Sequence, residues 1–215
     1  MDKDLGNSRK IYQKQELLEN NIPENPMELF QKWYFNAEES GYIEEANTMS
    51  VTTLELDGFP KSRIVLLKRF TWEGFIFYTN YNSDKGKAIE QNPKISISFF
   101  WQQLEQQILI KGIAEKLPKN LSDGYFETRP DGSKLGAWAS DQSKEVPSRT
   151  YLDNRLKEFE KKFEGKEIPS PDFWGGYMVK PISIEFWQGR PNRMHDRILY
   201  TLQDNFEWKI SRLAP

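Results

Sequence analysis

The chain of 215 residues contains no cysteine. Disulfides, thiolate nucleophiles, zinc–cysteine centres and iron–sulfur ligation are therefore excluded. It has a single histidine, His195, which rules out a multi-histidine metal site. No EF-hand spacing of carboxylates stands in for one, so no metal is expected. No run approaches the roughly 18 apolar residues that a membrane-spanning helix needs. The first residues, Met1-Asp2-Lys3-Asp4-Leu5-Gly6, lead into no apolar stretch of the secretory kind. Positive charge is not in excess either: 30 Lys and Arg stand against 32 Asp and Glu. A chain that lives on nucleic acid is usually basic. Neither a nucleic-acid nor a membrane partner is expected, and the cytoplasm is the default location.

Apolar mass is present. Hydrophobic residues make up 37% and aromatics 14%, with 7 Trp and 14 Phe, enough for a core. The length suits one domain. Residues 1–24 are polar, without clear periodicity, and read as a flexible arm; 25–215 read as a single domain. Asn25-Pro26-Met27-Glu28 predicts a helix start: asparagine can cap, proline fits the first turn, and Glu28 can reach back to the cap. Phe30, Trp33, Tyr34 and Ala37 then share one face. From Thr48 the period shortens. Runs at 49–54 and 61–68, joined through Asp57-Gly58, and at 75–79 predict strands. A short helix capped by Ser83 should follow, then strands at 95–101 and 107–115. Residues 118–163 read as helical, broken at Pro130 to Gly132 and before Pro147. Strands are expected again at 177–179, 182–188, 193–202 and 206–212. Short strands with tight turns around a helical insertion argue for a mainly β fold, an antiparallel barrel or sandwich surrounded by helices.

Four segments could carry chemistry. In Arg63-Ile64-Val65-Leu66-Leu67-Lys68 two cations bracket an apolar strand. An odd separation sends them to opposite faces, roughly 16 Å apart, which suits two anionic groups better than one. A buried strand with charged ends is the plainer reading. Tyr78-Thr79 runs into Ser83-Asp84-Lys85, a helix start whose free N–H groups suit a phosphate; an ordinary capped turn fits equally. Tyr125, Arg129 and Ser133 recur at four-residue spacing across Pro130, a good phosphate clamp or a solvated helix end. Arg193, His195 and Arg197 alternate, so a strand would present all three on one face beside Trp187. An exposed strand would show the same alternation. A Ser–His–Asp hydrolase lacks its Gly-x-Ser-x-Gly elbow here.

Together these segments resemble the pyridoxamine/pyridoxine 5′-phosphate oxidase family. The resemblance rests on Arg63 to Lys68, Phe77-Tyr-Thr-Asn80, Arg129-Pro130 with Ser133, Gly136-Ala-Trp138, Gln142-Ser143, Phe173-Trp-Gly-Gly176, Ile184-Glu-Phe-Trp-Gln-Gly189, Arg193-Met-His-Asp-Arg197 and Arg212-Leu-Ala-Pro215. It runs from about Arg9 to the end. It implies a split antiparallel β-barrel of the FMN-binding type, working as a homodimer with FMN at the interface. The implied activity converts pyridoxamine or pyridoxine 5′-phosphate to pyridoxal 5′-phosphate, with O2 as acceptor and H2O2 as product. Arg63, Lys85 and Ser143 would hold the FMN phosphate. Ile64, Val65, Leu66, Leu67, Lys68, Tyr78, Thr79, Gln107, Gln142, Trp187 and Arg197 would line the flavin, with Gln142 and Ser143 reaching over from the partner. Lys68, Tyr125, Arg129 and Ser133 would bind the substrate phosphate. Arg193 and His195 would be catalytic, holding the substrate ring, and Arg9 and Tyr12 would belong to a lid. Many relatives carry a second arginine where this chain has Asp84, and an acid cannot take that role. Two alternatives stay open: a related split-barrel flavin reductase, and a non-catalytic binder of pyridoxal phosphate or FMN.

Overall fold

Helix α1 (Pro26–Glu39) begins where the sequence sets it in the computed structural model, which describes residues 3–8 and 10–215. Asn25 accepts a hydrogen bond from the Met27 backbone N–H at 2.9 Å. Such a cap is worth about 1 kcal/mol. Pro26 takes the first helical position, where its missing N–H leaves no bond unmade. The turn at Asp57-Gly58 is also observed: Gly58 has φ +84°, a conformation that needs glycine, and joins β1 (Thr48–Leu54) to β2 (Pro60–Leu66). A three-residue strand, β3 (Arg69–Thr71), was not expected; it is too short to show periodicity. Then come β4 (Gly74–Asn80), α2 (Asp84–Gln91), β5 (Lys94–Trp101) and β6 (Gln106–Lys116). Ser83 caps α2 through the Gly86 N–H. The helical insertion is α3 (Lys119–Glu127), α4 (Asp131–Ala139) and α5 (Arg149–Phe163).

Two expectations near the C-terminus are corrected. The runs at 177–179 and 182–188 are one strand, β7 (Trp174–Gln188), which passes through Pro181. β7 pairs with β4 up to Val179 and with β8 from Ser183, so the proline falls in the gap between two registers. The run expected at 193–202 starts later, as β8 (Asp196–Leu202), before β9 (Trp208–Arg212). Asn192 and Arg193 have φ of +57° and +61°, which no strand accommodates.

Among the described residues nine strands form one antiparallel sheet in the order β2-β1-β5-β6-β7-β4-β3, with β8 and β9 continuing from β7. The chain divides into two compact units, 1–50 with 97–111 and 181–215, and 51–96 with 112–180. Each is built from separated segments, so neither can be cut out as one stretch of sequence. In the first unit Phe30 and Trp33 of α1 pack edge-on against Phe99 and Phe186, at 5.3 Å each, and Tyr200 closes on Phe186. Residues 10–17, part of the expected arm, are tied to this unit. Glu105 accepts the N–H groups of Gln13 and Lys14, and Asp196 accepts that of Leu17. In the second unit Phe75, Phe77, Tyr177 and Val179 are buried where β4 pairs with β7. Tyr78 lies opposite Gly176, and a Cβ on that glycine would meet the Tyr78 ring at 2.8 Å. No helix among the described residues is long and apolar enough to cross a membrane.

Candidate active site

The second unit holds a cavity of about 460 Å³. Ile64, Val65 and Leu66 of β2 and Lys68 just beyond it form one part of the lining. Tyr78 and Thr79 come from β4 and Lys85 from the first turn of α2. Tyr125, Arg129 and Ser133 all reach it, although Pro130 does end one helix and start another between them. The Tyr78 ring stacks on Tyr125 at 4.0 Å and on Trp174 at 5.3 Å. Arg129 lies over the Trp174 ring at 4.7 Å. Its Nη1 is buried and has no hydrogen-bond partner among the described residues. Burial lowers its pKa, but a guanidinium stays charged at any ordinary pH. A charged donor left unpaired in this way costs about 1–3 kcal/mol or more, which a bound anion would recover. Ser133 stands in the first turn of α4, where the helix dipole also favours an anion.

Lys85 is only 9% exposed. Burial first, and then the charge of Arg63, push its amine down to about 8. Its Nζ donates to Gln142 Oε1 at 2.9 Å, and Thr79 Oγ1 donates to the same oxygen at 3.2 Å. The resemblance implied that Gln142 reaches over from a partner; here the chain's own turn after α4 delivers it. Ser143 follows with φ +72°, exposed, and does not line the cavity. Arg63 does not line it either. Its guanidinium is held by Thr53, Glu55 and the Lys61 carbonyl. The structure thus separates Arg63 from Lys68, and a residue that sequence reasoning passed over, Glu55, is the counter-ion. Leu67 turns its side chain into the core, 4% exposed. Asp84 bonds to Lys61 at 2.9 Å, which lowers its carboxyl pKa.

The remaining expected residues lie in the first unit. A cavity of about 570 Å³ is lined by Tyr12, Arg193 and His195, with Lys10, Arg190 and Asn192. The His195 ring sits 4.7 Å from the Trp187 ring, and Tyr12 meets that Trp187 edge-on at 5.7 Å. Arg193, His195 and Arg197 do not share a strand face as expected, because β8 starts only at Asp196. Arg197 instead pairs with Glu185 at 2.7 Å and donates to the Ala214 carbonyl. Trp187 and Arg197 are cross-strand partners. Gln107 is half-buried on β6. Arg9 lies outside the described residues. Glu105, which anchors the segment beside Tyr12, carried no sequence signal. Its role depends on φ +58° and a side chain only 2% exposed.

Residues 35–163 match the family model described as pyridoxamine 5′-phosphate oxidase. Residues 174–215 match the pyridoxine 5′-phosphate oxidase C-terminal dimerisation region. A pyridoxine/pyridoxamine 5′-phosphate oxidase of Flavobacterium johnsoniae is 61% identical over 98% of this chain and 99% of its own. One of Nostoc punctiforme is 47% identical over the whole of both chains. This chain belongs to the pyridoxamine 5′-phosphate oxidase family. Among solved structures, PhzG from Burkholderia lata 383, in complex with tetrahydrophenazine-1-carboxylic acid, superposes with a TM-score of 0.85 at 28% identity, covering 93% of this chain and 98% of that one. A pyridoxamine 5′-phosphate oxidase-related, FMN binding protein from Nostoc punctiforme shares the fold, with a TM-score of 0.70 at 15% identity over 91% and 99% of the two chains. The split barrel expected of the pyridoxamine 5′-phosphate oxidase family is thus the fold of this chain.

Proposed function

We propose that the protein is an FMN-dependent oxidase that converts pyridoxamine or pyridoxine 5′-phosphate to pyridoxal 5′-phosphate in the cytoplasm, reducing O2 to H2O2. The observation that carries this reading is Arg129: a buried guanidinium nitrogen without a partner, in a cavity that also presents Lys68, Tyr125 and Ser133. That donor set suits a phosphate monoester and gives a neutral ligand nothing to match it. A flavin reductase acting on unphosphorylated substrates would have no use for it.

The residues also fit FMN. Lys85 is a buried cation whose hydrogen-bond partner is a neutral amide, so it has charge to offer the cofactor phosphate. Arg63 adds field from beside it. Ile64, Val65, Leu66, Thr79 and Gln142 offer apolar surface and amide contacts to the ring system, with Leu67 contributing backbone. Trp187, Arg197, Gln107 and Ser143 complete the set that the family resemblance assigns. When bound, FMN supplies the hydride acceptor and passes the electron pair to dioxygen. The protein's part is placement. One cluster would fix the substrate phosphate, while Arg193 and His195 would hold the ring by donating to its acceptor atoms and so keep the donor carbon in place. Tyr12, in the segment that Glu105 and Asp196 tie down, would belong to the lid that the family resemblance assigns. The match of 174–215 to a dimerisation region supports a homodimer as the working form.

Supplying FMN and either substrate in air should give aldehyde and peroxide together. A protein that binds pyridoxal phosphate but consumes no oxygen would be a carrier, and the oxidase reading would fall.

A further inference from the structure

His195 is the one histidine of the chain, and its ring makes a contact that fixes where its proton sits. The backbone N–H of Arg190 donates to His195 Nδ1 at 3.1 Å. A hydrogen-bond acceptor cannot carry a proton at the same lone pair, so Nδ1 is the bare nitrogen and the neutral ring holds its hydrogen on Nε2. Turning the ring over would set a C–H against that N–H and leave the backbone donor unpaired. The contact spans five residues and depends on the backbone between them. Asn192 and Arg193 both adopt left-handed φ, which folds His195 back over Arg190. Two such non-glycine residues in succession cost energy that the surrounding structure must repay. The Arg190 side chain plays no part, since its guanidinium pairs with Glu16 at 3.0 Å and Asp196 at 3.6 Å. The ring is further confined by Trp187 and Tyr12.

We propose that the Arg190 backbone N–H locks His195 as the Nε2-protonated neutral tautomer, so that it serves its ligand as a fixed hydrogen-bond donor and not as a general base. The charged surroundings agree. Burial first, then Arg193, lower the imidazole pKa, and Asp196 opposes them. Lys10 and Arg190 line the same cavity, but each is paired with carboxylates, Lys10 with Glu105 and Arg190 with Glu16 and Asp196. The ligand partner this donor fits is an acceptor, an oxyanion above all. The assignment of that ligand as a pyridoxal phosphate-type ring rests on the proposed oxidase function; the tautomer does not.

Because there is only one histidine, imidazole 15N shifts of histidine-labelled protein report this residue alone. At neutral pH the expected pattern is a pyridine-like Nδ1 and a pyrrole-like Nε2. A protonated Nδ1, or two averaged shifts from a ring exchanging tautomers, would overturn the lock. The donor role is read separately, by affinity for pyridoxal 5′-phosphate measured by tryptophan fluorescence. The amide of His195→Gln reaches the Nε2 position and can donate there, whereas that of His195→Asn reaches only the Nδ1 position. Gln should bind at least about 10-fold more tightly than Asn, the worth of one well-placed hydrogen bond. Equal affinities would refute the donor assignment. Should the protein lack oxidase activity altogether, the nitrogen pattern still decides the tautomer, and only the identity of the ligand falls.

Discussion

The two cavities differ in how their charges are satisfied. Around His195 the cations that hold the chain together are matched by carboxylates: Lys10 has Glu105 and Arg190 has Glu16 and Asp196, and on the adjoining strands Arg197 has Glu185 and Arg212 has Glu19 and Asp196. Those pairs hold segments in place, and Asp196 and Glu105 extend the same service to backbone N–H groups of residues 13, 14 and 17. Around Tyr125 the cations are left in debt. Among the described residues Arg129 has a buried nitrogen with no hydrogen-bond partner, and Lys85 donates to a neutral amide. Paired charge builds a scaffold, and unpaired buried charge marks a place prepared for a ligand. Arg63 belongs to the first kind although it lies in the second unit, because Glu55 compensates it.

The sharpest way to break this comparison is at the cavity around His195. Arg193→Leu or His195→Leu should lower turnover about 30- to 1,000-fold, as loss of a well-placed donor does, with FMN binding nearly intact. Steady-state kinetics beside a flavin titration would show it, and near-normal activity in both variants would remove the assigned ring contacts. Next in size is Arg129→Met. Losing a charge-assisted contact of about 1.5–3 kcal/mol should weaken kcat/KM about 10- to 150-fold for phosphorylated substrate. The same variant should bind unphosphorylated pyridoxine as the parent does; an equal loss for both ligands would mean that Arg129 is structural.

Lys85 gives a smaller and pH-dependent effect. A lysine lowered to about 8 is protonated below that pH and loses its charge as pH rises through it. FMN affinity of the apoprotein should therefore fall above about pH 8, while riboflavin affinity stays flat. Lys85→Met should abolish the difference. The smallest effect is expected at Asp84. Its side chain is 40% exposed and already paired with Lys61. Exposed pairs are worth about 0–1 kcal/mol, so Asp84→Arg should tighten FMN by no more than about 5-fold, and only at low salt. A larger gain would show that the carboxylate opposes the cofactor phosphate directly.

Several of these features were legible in the chain before any fold was known. Asn25 and Ser83 cap their helices because short polar side chains before a helical run have few better uses. Tyr125, Arg129 and Ser133 meet in one cavity even though the proline between them breaks the helix whose spacing suggested it. The alternation of Arg193, His195 and Arg197 misled, because alternation implies a shared face only in a strand. Two left-handed residues, Asn192 and Arg193, take that stretch out of the strand, and nothing in their side chains announces it.

What the sequence determined by itself was local or compositional. It set the caps and turns, the β-rich periodicity, the absence of thiol and multi-histidine chemistry, and the family, whose ordered motifs survive in a string of letters. What only the tertiary structure decided was which charges are spent. Glu55 neutralises Arg63 from eight residues away, and Glu105 anchors a segment more than ninety residues earlier in the chain. Gln142 reaches Lys85 within its own chain, and Arg129 keeps one buried nitrogen without a hydrogen-bond partner among the described residues. Electrostatic pairing and desolvation depend on distance and burial. Neither is encoded in spacing along the chain, so both become readable only once the strands have brought remote residues together.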